Sequence, residues 1–314
     1  MGVIPTGTGV GGLAVVGLGQ ACLDLLGRAP RYPSVDEKIE IEELTFQGGG
    51  PVATALVALA RWGLPVVFCG RIGDDEQGRR IHQGLLDEGV DCRGLRFEAG
   101  TTSQFAFIAV ERDTARRTIF WNRGSARPLS AEEVRGDCAA LIAAARVLHL
   151  DGLHLEAALA AAEIARNEGV TTVLDGGTLR PGVDRLLPLI DHAVVSTRFG
   201  EALAPGNHEA ALRRLLDYGC AAATVTHGDA GCLTLAQGGT LFHTPAFAVD
   251  AVDTTGCGDV FHGGYIYGLL QDWPLRRTVR FAAAAAALKT RALGGRAAIP
   301  SLPELDAFLA MEGG

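Results

Sequence analysis

The stretch that decides the fold is residues 249–264, VDAVDTTGCGDVFHGG. An apolar run leads into a Gly-x-Gly turn, and a helix-like segment follows directly. Because Gly256 and Gly258 carry no Cβ, the turn allows a close approach to successive backbone N–H groups. At a helix N-terminus, unpaired N–H groups and the helix dipole favour a bound anion. The stretch therefore predicts an anion hole formed by the N–H groups around Gly256, Cys257 and Gly258.

A carboxylate follows the predicted anion hole at once. Asp259 would repel a phosphate held by these N–H groups, so a pure binding role does not account for it. An acid at this place is suited to take a proton from a hydroxyl group that attacks phosphorus. We therefore predict that Asp259 is a general base in phosphoryl transfer. A Gly-rich loop with an Asp in the first helical turn also occurs in α/β proteins without this chemistry, so these residues alone leave both interpretations open.

Composition excludes several classes of protein. The chain has 314 residues, 48% of them hydrophobic, which is enough for one large domain with or without an appendage. A net charge of −8 without any basic run argues against nucleic acid and anionic membranes as partners. No apolar stretch approaches the roughly 18 residues of a membrane span, and no secretion signal opens the chain. Seven cysteines without a C-x-x-C pair predict a reduced, cytoplasmic protein.

Two kinds of strand pattern alternate with helix-like segments. Short solid apolar runs predict parallel strands buried on both faces, at residues 13–18, 66–69, 147–150, 170–174, 193–195 and 222–225. Alternating runs at 38–46, 104–111 and 118–121 predict strands with one wet face. We therefore expect a three-layer α/β/α domain over residues 13–314, with a small second sheet. The Gly/Thr/Pro-rich residues 1–12 are predicted to be a disordered tail.

The segment Asp253–Asp259, DTTGCGD, resembles the C-terminal signature D-[TS]-x-[GA]-[AC]-G-D of the ribokinase-like (phosphofructokinase B-type) carbohydrate kinases. Further matches occur in the family's order at QGGGP (47–51), CGRIGDDEQG (69–78) and AATVTHG (222–228). The resemblance covers residues from about 15 to 300. It implies a mostly parallel central sheet and a small β-sheet lid, with lid segments at about 33–46 and 96–126.

The resemblance also implies an activity. Members of this family are ATP-dependent kinases, so we expect transfer of the γ-phosphoryl group to a primary hydroxyl of a sugar or sugar derivative. Mg²⁺ would accompany ATP, and a homodimer would form through the lid. A nucleoside kinase of the same fold is one alternative, which an aromatic stacking pair in the pocket would favour. A catalytically silent sugar- or nucleotide-binding protein is the other, and the intact Asp259 and Gly-Cys-Gly argue against it.

The resemblance assigns substrate contacts to Asp24, Gly49 and Gly50. The family often carries an Asn six residues after the first glycine of the triplet, and here Thr54 stands there. A threonine keeps a donor and an acceptor but has a shorter reach. Thr54 is therefore a candidate substrate contact, and its shorter reach predicts either an unusual sugar or a sugar held by other contacts. A similar G-G-G-P-A-A-T segment occurs in a subgroup that phosphorylates sulfofructose.

Nucleotide and metal residues are implied in the same way. Thr226 and Gly228, in a T-x-G segment after a strand, would lie near the ATP phosphates. Asp253, together with the loop at 289–300, would hold a monovalent cation such as K⁺. Many family members organise the Mg²⁺ shell with N-x-x-E, where this chain has Ser196 and Phe199, so Glu201 is a candidate substitute.

A further cluster follows another predicted strand. His149, Asp151 and His154 lie at and just after its end, where doubly wound sheets bind ligands. A metal triad and a substrate contact are both compatible with these residue types.

Overall fold

The computed structural model describes residues 12–312, so all but the last residue of the predicted tail lies outside the described residues. The strands are β1 (Leu13–Leu18), β2 (Cys22–Ala29), β3 (Glu43–Gly49), β4 (Val66–Gly73), β5 (Asp91–Glu98), β6 (Phe105–Glu111), β7 (Arg117–Asn122), β8 (Ala145–Leu150), β9 (Thr171–Gly176), β10 (His192–Ser196), β11 (Ala222–Thr226), β12 (Cys232–Ala236) and β13 (Phe242–Thr244).

The helices are α1 (Pro51–Arg61), α2 (Glu76–Asp87), α3 (Ala131–Glu133), α4 (Ala139–Ala143), α5 (Leu155–Glu168), α6 (Val183–Leu186), α7 (Thr197–Leu203), α8 (His208–Asp217), α9 (Cys257–Leu270), α10 (Leu275–Lys289) and α11 (Leu302–Met311). A π-helical turn, Val134–Cys138, joins α3 to α4. No helix in the described part of the chain is long and apolar enough to cross a membrane.

The main sheet has nine strands in the order β13-β12-β11-β10-β9-β8-β1-β4-β5. The seven neighbouring strands β11, β10, β9, β8, β1, β4 and β5 run parallel, and β12 and β13 add an antiparallel edge. The six predicted apolar strands all lie in this parallel part. The strands β5, β12 and β13 were missed, because their sequences are only partly apolar.

Helices cover both faces of the main sheet. Neighbouring strand residues point to opposite faces, and Val15 and Val16 accordingly belong to two separate hydrophobic cores. One core packs α1, α2, α9, α10 and α11, and the other packs α5, α7 and α8. The predicted three-layer α/β/α architecture is confirmed.

The order of the strands fixes where a ligand can bind. From β1 the chain moves outward to β4 and β5, and then returns to β8 on the other side of β1. A reversal of this kind opens a crevice at the carboxyl ends of the strands, which is where open α/β sheets bind ligands. Gln20, just after β1, and Leu153, just after β8, both line a cleft at this point.

The second sheet has four strands in the order β3-β2-β6-β7, and we call it the lid. The expected segment 96–126 contributes β6 and β7, although residues 96–98 belong to β5 of the main sheet. The expected strand at 38–46 begins only at Glu43 and continues to Gly49. Its partner β2 pairs no further than Arg28 opposite Glu43, so the alternating residues 38–42 have no neighbouring strand.

The helix that begins with the signature is packed on several sides. Gly264 of α9 lies so close to α10 that a Cβ there would be 2.7 Å from Cα of Ala282. Gly263 faces α1, where a Cβ would lie 3.1 Å from Cβ of Ala58. Both small residues let α9 sit between its two neighbours. The N-terminus of α9 is thereby held in place beneath the lid.

Candidate active site

A cleft of about 370 Å³ lies between the lid and the carboxyl edge of the main sheet. It is lined by four of the residues predicted from sequence: Asp24, Gly50, Gly256 and Asp259. These four come from three distant parts of the chain. The structure therefore brings the expected sugar-binding acid and the expected base to one cavity of ligand size.

The N-terminus of α9 has the geometry of an anion site. Gly256 is its N-cap with φ +75°, a left-handed conformation that favours glycine. A Cβ on Gly256 would also lie 2.7 Å from Cα of Gly295. In the described part of the chain, the N–H groups of Gly258 and Asp259 have no hydrogen-bond acceptor outside the helix. The N–H of Cys257 is less available, since it donates to the carbonyl of Thr254 at 3.3 Å.

Asp259 faces the cleft from the first turn of α9. Its side chain is half-buried, and its carboxylate accepts no hydrogen bond from the described residues. Burial raises the pKa of Asp259 above the ordinary aspartate value of 3.8, while the charges of His262 and Arg117 act in the opposite direction. A carboxylate that is unpaired, partly desolvated and beside free N–H groups is suited to act as a base.

His262 lies one turn further along α9 and was not singled out by the sequence analysis. Its Nδ1 is 2.7 Å from the carbonyl oxygen of Gly258, and its Nε2 is 3.0 Å from that of Val194. The Asp175 carboxylate is 3.4 Å from Nδ1. Through these two contacts, His262 ties the anion-hole turn to β10.

Asp24, the expected sugar-binding acid, lies within the lid strand β2. Its Oδ1 accepts a hydrogen bond from Cys22 Sγ at 3.0 Å, and burial raises its pKa to about 6. A Cβ on Gly49 would collide with the Asp24 carboxylate. Gly49 therefore gives space to the acid, whereas Gly50, with φ +98°, lines the cleft directly.

Thr54 does not line the cleft. It is 1% exposed, and its Oγ1 accepts a 3.4 Å hydrogen bond from Nε of Arg296. The same guanidinium donates to the carbonyl of Gly49 at 3.2 Å. This position does not support the expected direct contact between Thr54 and a sugar. The small threonine instead leaves room for a buried arginine behind the glycine triplet.

Asp253, the expected ligand of a monovalent cation, is fully buried and already engaged. Its Oδ1 accepts from Thr255 N at 2.8 Å, and its Oδ2 accepts from Gly294 N at 2.7 Å. Its main-chain carbonyl accepts from Nζ of Lys289 at 3.0 Å. An ammonium group therefore takes up the oxygen that a monovalent cation would need, so these residues do not fit K⁺.

The expected nucleotide residues lie along the same edge of the sheet. Thr226 ends β11, and Gly228, with φ +59°, follows in a short turn where a Cβ would meet open space. Glu201 is on α7, and its two oxygens accept from His208 Nε2 at 2.6 Å and Gly206 N at 2.9 Å. Both carboxylate oxygens of Glu201 thus have partners within the protein. Its role in a Mg²⁺ shell stays a prediction.

His149, Asp151 and His154, at and after the end of β8, do not form a metal site. No group of three or more His, Cys, Asp or Glu side chains that could hold a metal occurs among residues 12–312. Asp151 accepts from Gln20 N at 2.7 Å and from Leu153 N at 3.0 Å, so it fixes the loops that form the floor of the cleft. His149 is fully buried, with Nδ1 3.2 Å from the carbonyl of Val173. Only His154 lines the cleft.

The positive charges of the cleft were not predicted from the sequence. Arg117, Arg123 and Arg180 all line it, together with Trp121. Arg117 and Arg123 come from the lid strand β7 and its end, and Arg180 follows β9. No local motif joins these residues, and the Arg116-Arg117 pair in an alternating strand is the only signal that could have drawn attention to one of them.

The cleft combines free N–H groups at a helix N-terminus with an unpaired carboxylate beside them and a second acid across the cleft. This combination is that of a phosphotransferase that acts on a hydroxyl group. The sequence model of the family described as "pfkB family carbohydrate kinase" matches residues 13–302. The chain belongs to this family of carbohydrate kinases, and it is an ATP-dependent sugar kinase.

Curated relatives agree with this assignment, and a solved structure agrees with the fold. An ATP-dependent ribose-1-phosphate kinase of Halopiger xanaduensis is 30% identical, with 94% of this chain and 97% of that protein covered. A ribokinase of Haemophilus influenzae is 28% identical over 93% of this chain and 97% of its own length. The fold resembles that of a ribokinase from Thermotoga maritima with a TM-score of 0.80 at 24% identity, covering 95% and 99% of the two chains.

Proposed function

We propose that the chain transfers the γ-phosphoryl group of ATP to a primary hydroxyl of a sugar bound between Asp24 and Asp259. The observation that carries this is the shared cleft, in which Asp259 has no hydrogen-bond partner among the described residues and the anion hole lies next to it. Asp24 and the backbone at Gly50 hold the sugar hydroxyls. Asp259 takes the proton of the attacking hydroxyl as it approaches phosphorus.

The N–H groups of Gly256, Gly258 and Asp259 would stabilise charge on the transferring phosphoryl group. Arg117 hydrogen-bonds Thr254 Oγ1 and so lies beside this turn, where it adds positive charge. Thr226 and Gly228 would contact the remaining phosphates at the neighbouring strand ends. Mg²⁺ would arrive bound to ATP and neutralise phosphate charge, in keeping with how few protein ligands this ion commonly uses.

A sugar suits the cleft better than a nucleoside. A nucleoside base is commonly held by aromatic stacking, and Trp121 is the only Phe, Tyr or Trp side chain among the residues that line the cleft. The other lining side chains include two acids, three arginines, two glutamines and several aliphatic groups. A silent binding protein would not require an unpaired, desolvated carboxylate next to the anion hole.

The direct test is ADP release from MgATP with a panel of acceptors: aldoses, ketoses, sugar acids, sulfosugars, sugar phosphates and nucleosides. We expect at least one sugar acceptor to release ADP stoichiometrically, with a phosphomonoester of the primary hydroxyl found by ³¹P and ¹³C NMR. Turnover of nucleosides alone, or binding of sugars without ADP release, would contradict the proposal.

We propose further that Lys289 supplies the positive charge that a monovalent cation supplies in related kinases. Lys289 ends α10 with its side chain fully buried, and Nζ donates to the carbonyl of Asp253, the first residue of the signature. Burial lowers the pKa of Lys289, while the charges of Asp253 and Asp259 oppose this effect. An ammonium in this place would fix the loop that leads into the anion hole.

Lys289→Met tests this role. The substitution removes the charge and leaves the Asp253 carbonyl unpaired, so kcat should fall about 10- to 100-fold. K⁺ or NH₄⁺ should restore part of the activity of the variant, whereas the unmodified enzyme should turn over equally in K⁺ and in choline salts. The matched control is Lys38→Met, which changes the only other lysine of the chain at an exposed position. A strict requirement of the unmodified enzyme for K⁺ would disprove the proposal.

The outer face of the lid supports a homodimer. Register places Phe46, Leu25, Phe107 and Phe120 in one row across the four strands. Phe46 is 51% exposed and Phe120 is 50% exposed. A continuous apolar row of this kind marks a protein interface, and a second copy of the same sheet can cover it by two-fold symmetry. A monomer in sedimentation velocity at micromolar concentration would contradict this assignment.

The cysteines support a reducing, cytoplasmic location. All seven lie in the described part of the chain and are free thiols, six of them buried. Burial raises the pKa of Cys220 and of Cys232 to about 12, which keeps both protonated and unreactive.

A further inference from the structure

The cleft carries more positive charge than its two acids require. The guanidinium of Arg117 contacts Thr254, and its charge opposes the rise that burial causes in the pKa of Asp259. Arg117 therefore lies at the end of the cleft where the phosphoryl group would be transferred. Arg123 and Arg180 lie elsewhere: the pKa of His154 is lowered first by burial and then by the charges of these two arginines. Two guanidinium groups and a neutral imidazole thus converge on one part of the cleft.

Neither of these two arginines forms an ion pair with an acid; burial raises the pKa of Asp151, and the charge of Arg180 opposes this only from beyond 4.0 Å. Among residues 12–312, no carboxylate oxygen lies within 4.0 Å of a guanidinium nitrogen of Arg123 or Arg180. Two other arginines near the lid are paired, Arg112 with Glu42 and Arg127 with Glu98. Arg28 and Arg116 form no ion pair among the described residues but do not line the cleft. Asp24 does not serve as a counter-charge either, because burial raises its pKa and the arginine whose charge opposes this rise is Arg296.

The two arginines come from opposite walls of the cleft. Arg123 directly follows the lid strand β7, and its guanidinium lies over the Trp121 ring at 5.6 Å from the centroid. Arg180 follows β9 of the main sheet. A small anion between them would join the lid to the main domain. Arginine forks match the oxygen geometry of phosphate, sulfonate and carboxylate groups.

We infer that Arg123, Arg180 and His154 form a subsite for an anionic substituent of the acceptor sugar. The substrate class is a sugar that carries a phosphate, sulfonate or carboxylate at one end and the reacting primary hydroxyl at the other. This inference rests on the proposed function, since it uses Asp259 to locate the hydroxyl. The phosphates of ATP do not compete for the subsite, because they belong to the anion hole and the strand ends beyond it.

The subsite also explains how binding would close the lid. In the open cleft, both guanidinium groups are exposed to water. An anion bound by one arginine from each wall would draw the walls together and exclude water around Asp259. Selectivity for a charged acceptor would then appear in kcat as well as in KM, because the closed arrangement is the one that reacts.

The test compares matched acceptors that differ in the anionic group: fructose with fructose 6-phosphate and with 6-deoxy-6-sulfofructose, ribose with ribose 1-phosphate, and glucose with gluconate. We expect kcat/KM for at least one anionic acceptor to exceed that of its neutral counterpart by about 100-fold or more, and the arm that wins identifies the anion. Arg123→Gln and Arg180→Gln should each lower this selectivity ratio about 10- to 100-fold, the range for a hydrogen bond to a charged group.

Arg112→Gln is the matched control, because it removes a lid arginine outside the cleft and should leave the ratio unchanged. Raising the salt concentration should lower the ratio for the unmodified enzyme and not for the two cleft variants. The inference is overturned if kcat/KM for each neutral sugar equals that for its anionic counterpart. It is also overturned if the two cleft variants lower kcat/KM for neutral and anionic acceptors equally. If none of these acceptors, neutral or anionic, causes ADP release, the proposed function itself is refuted.

Discussion

Asp259→Asn is expected to lower kcat by about 10²- to 10⁴-fold, the contribution of a positioned general base. The amide keeps the size of the side chain but cannot take the proton of the attacking hydroxyl. Affinity for MgATP should be unchanged or slightly higher, because the variant removes a negative charge beside the anion hole. Coupled ADP release measures kcat, and calorimetric titration measures nucleotide binding.

The control for this variant is its thermal unfolding, which should match that of the unmodified enzyme or exceed it, since a desolvated carboxylate has been removed. The pH dependence supplies a second check. A base must be ionised, and burial raises the pKa of Asp259, so kcat/KM should fall on the acid side with a midpoint above 3.8. Asp24, with a pKa raised to about 6, contributes to the same limb. Turnover of Asp259→Asn at the unmodified rate would exclude this residue as the base.

Gly258→Val is expected to lower kcat/KM by at least about 100-fold with little effect on stability. A Cβ at Gly258 meets no protein atom within 4 Å, so the added side chain projects into open space above the helix N-terminus. The same space must admit the transferring phosphoryl group, and loss of one hydrogen-bond donor of an anion hole costs about 10²- to 10³-fold. The assay is ADP release, with the melting temperature measured in parallel.

Gly84→Val is the matched control, because Gly84 is also a helical glycine whose Cβ would meet no atom within 4 Å. It should leave both turnover and stability near their original values. Gly256→Ala makes the opposite comparison: a positive φ and a close contact with Gly295 predict a loss of stability as well as of activity. A fully active Gly258→Val enzyme would remove the backbone anion hole from the mechanism.

The structural features predicted best from the sequence are those that depend on residues adjacent in the chain. The turn at Gly256 and the acid at Asp259 are adjacent in the chain, and the helix that follows is encoded locally. Solid apolar runs identified the parallel strands because burial on both faces leaves no room for polar residues. The lid strand β2 was missed because its sequence, CLDLLGRA, places Asp24 in the middle of an apolar segment that resembles a loop after β1.

The features that sequence could not predict depend on contacts between distant segments. Lys289 donates a hydrogen bond to the carbonyl of Asp253, which lies 36 positions away in the chain. The local sequence at neither position predicts this contact. Arg296 takes the place behind Gly49 that the short Thr54 leaves free. Arg123 and Arg180 line the same cleft only because the lid lies beside the carboxyl edge of the main sheet. Such charge clusters become visible only when the topology has been assembled.

The most direct test of the account is a crystal structure of the enzyme with an acceptor sugar, MgADP and tetrafluoroaluminate, a planar mimic of the transferring phosphoryl group. The account predicts the fluoroaluminate within hydrogen-bond distance of the N–H groups of Gly256, Gly258 and Asp259, with the apical sugar oxygen against the Asp259 carboxylate. A fluoroaluminate bound away from the N-terminus of α9, or an Asp259 carboxylate turned away from the sugar oxygen, would contradict it.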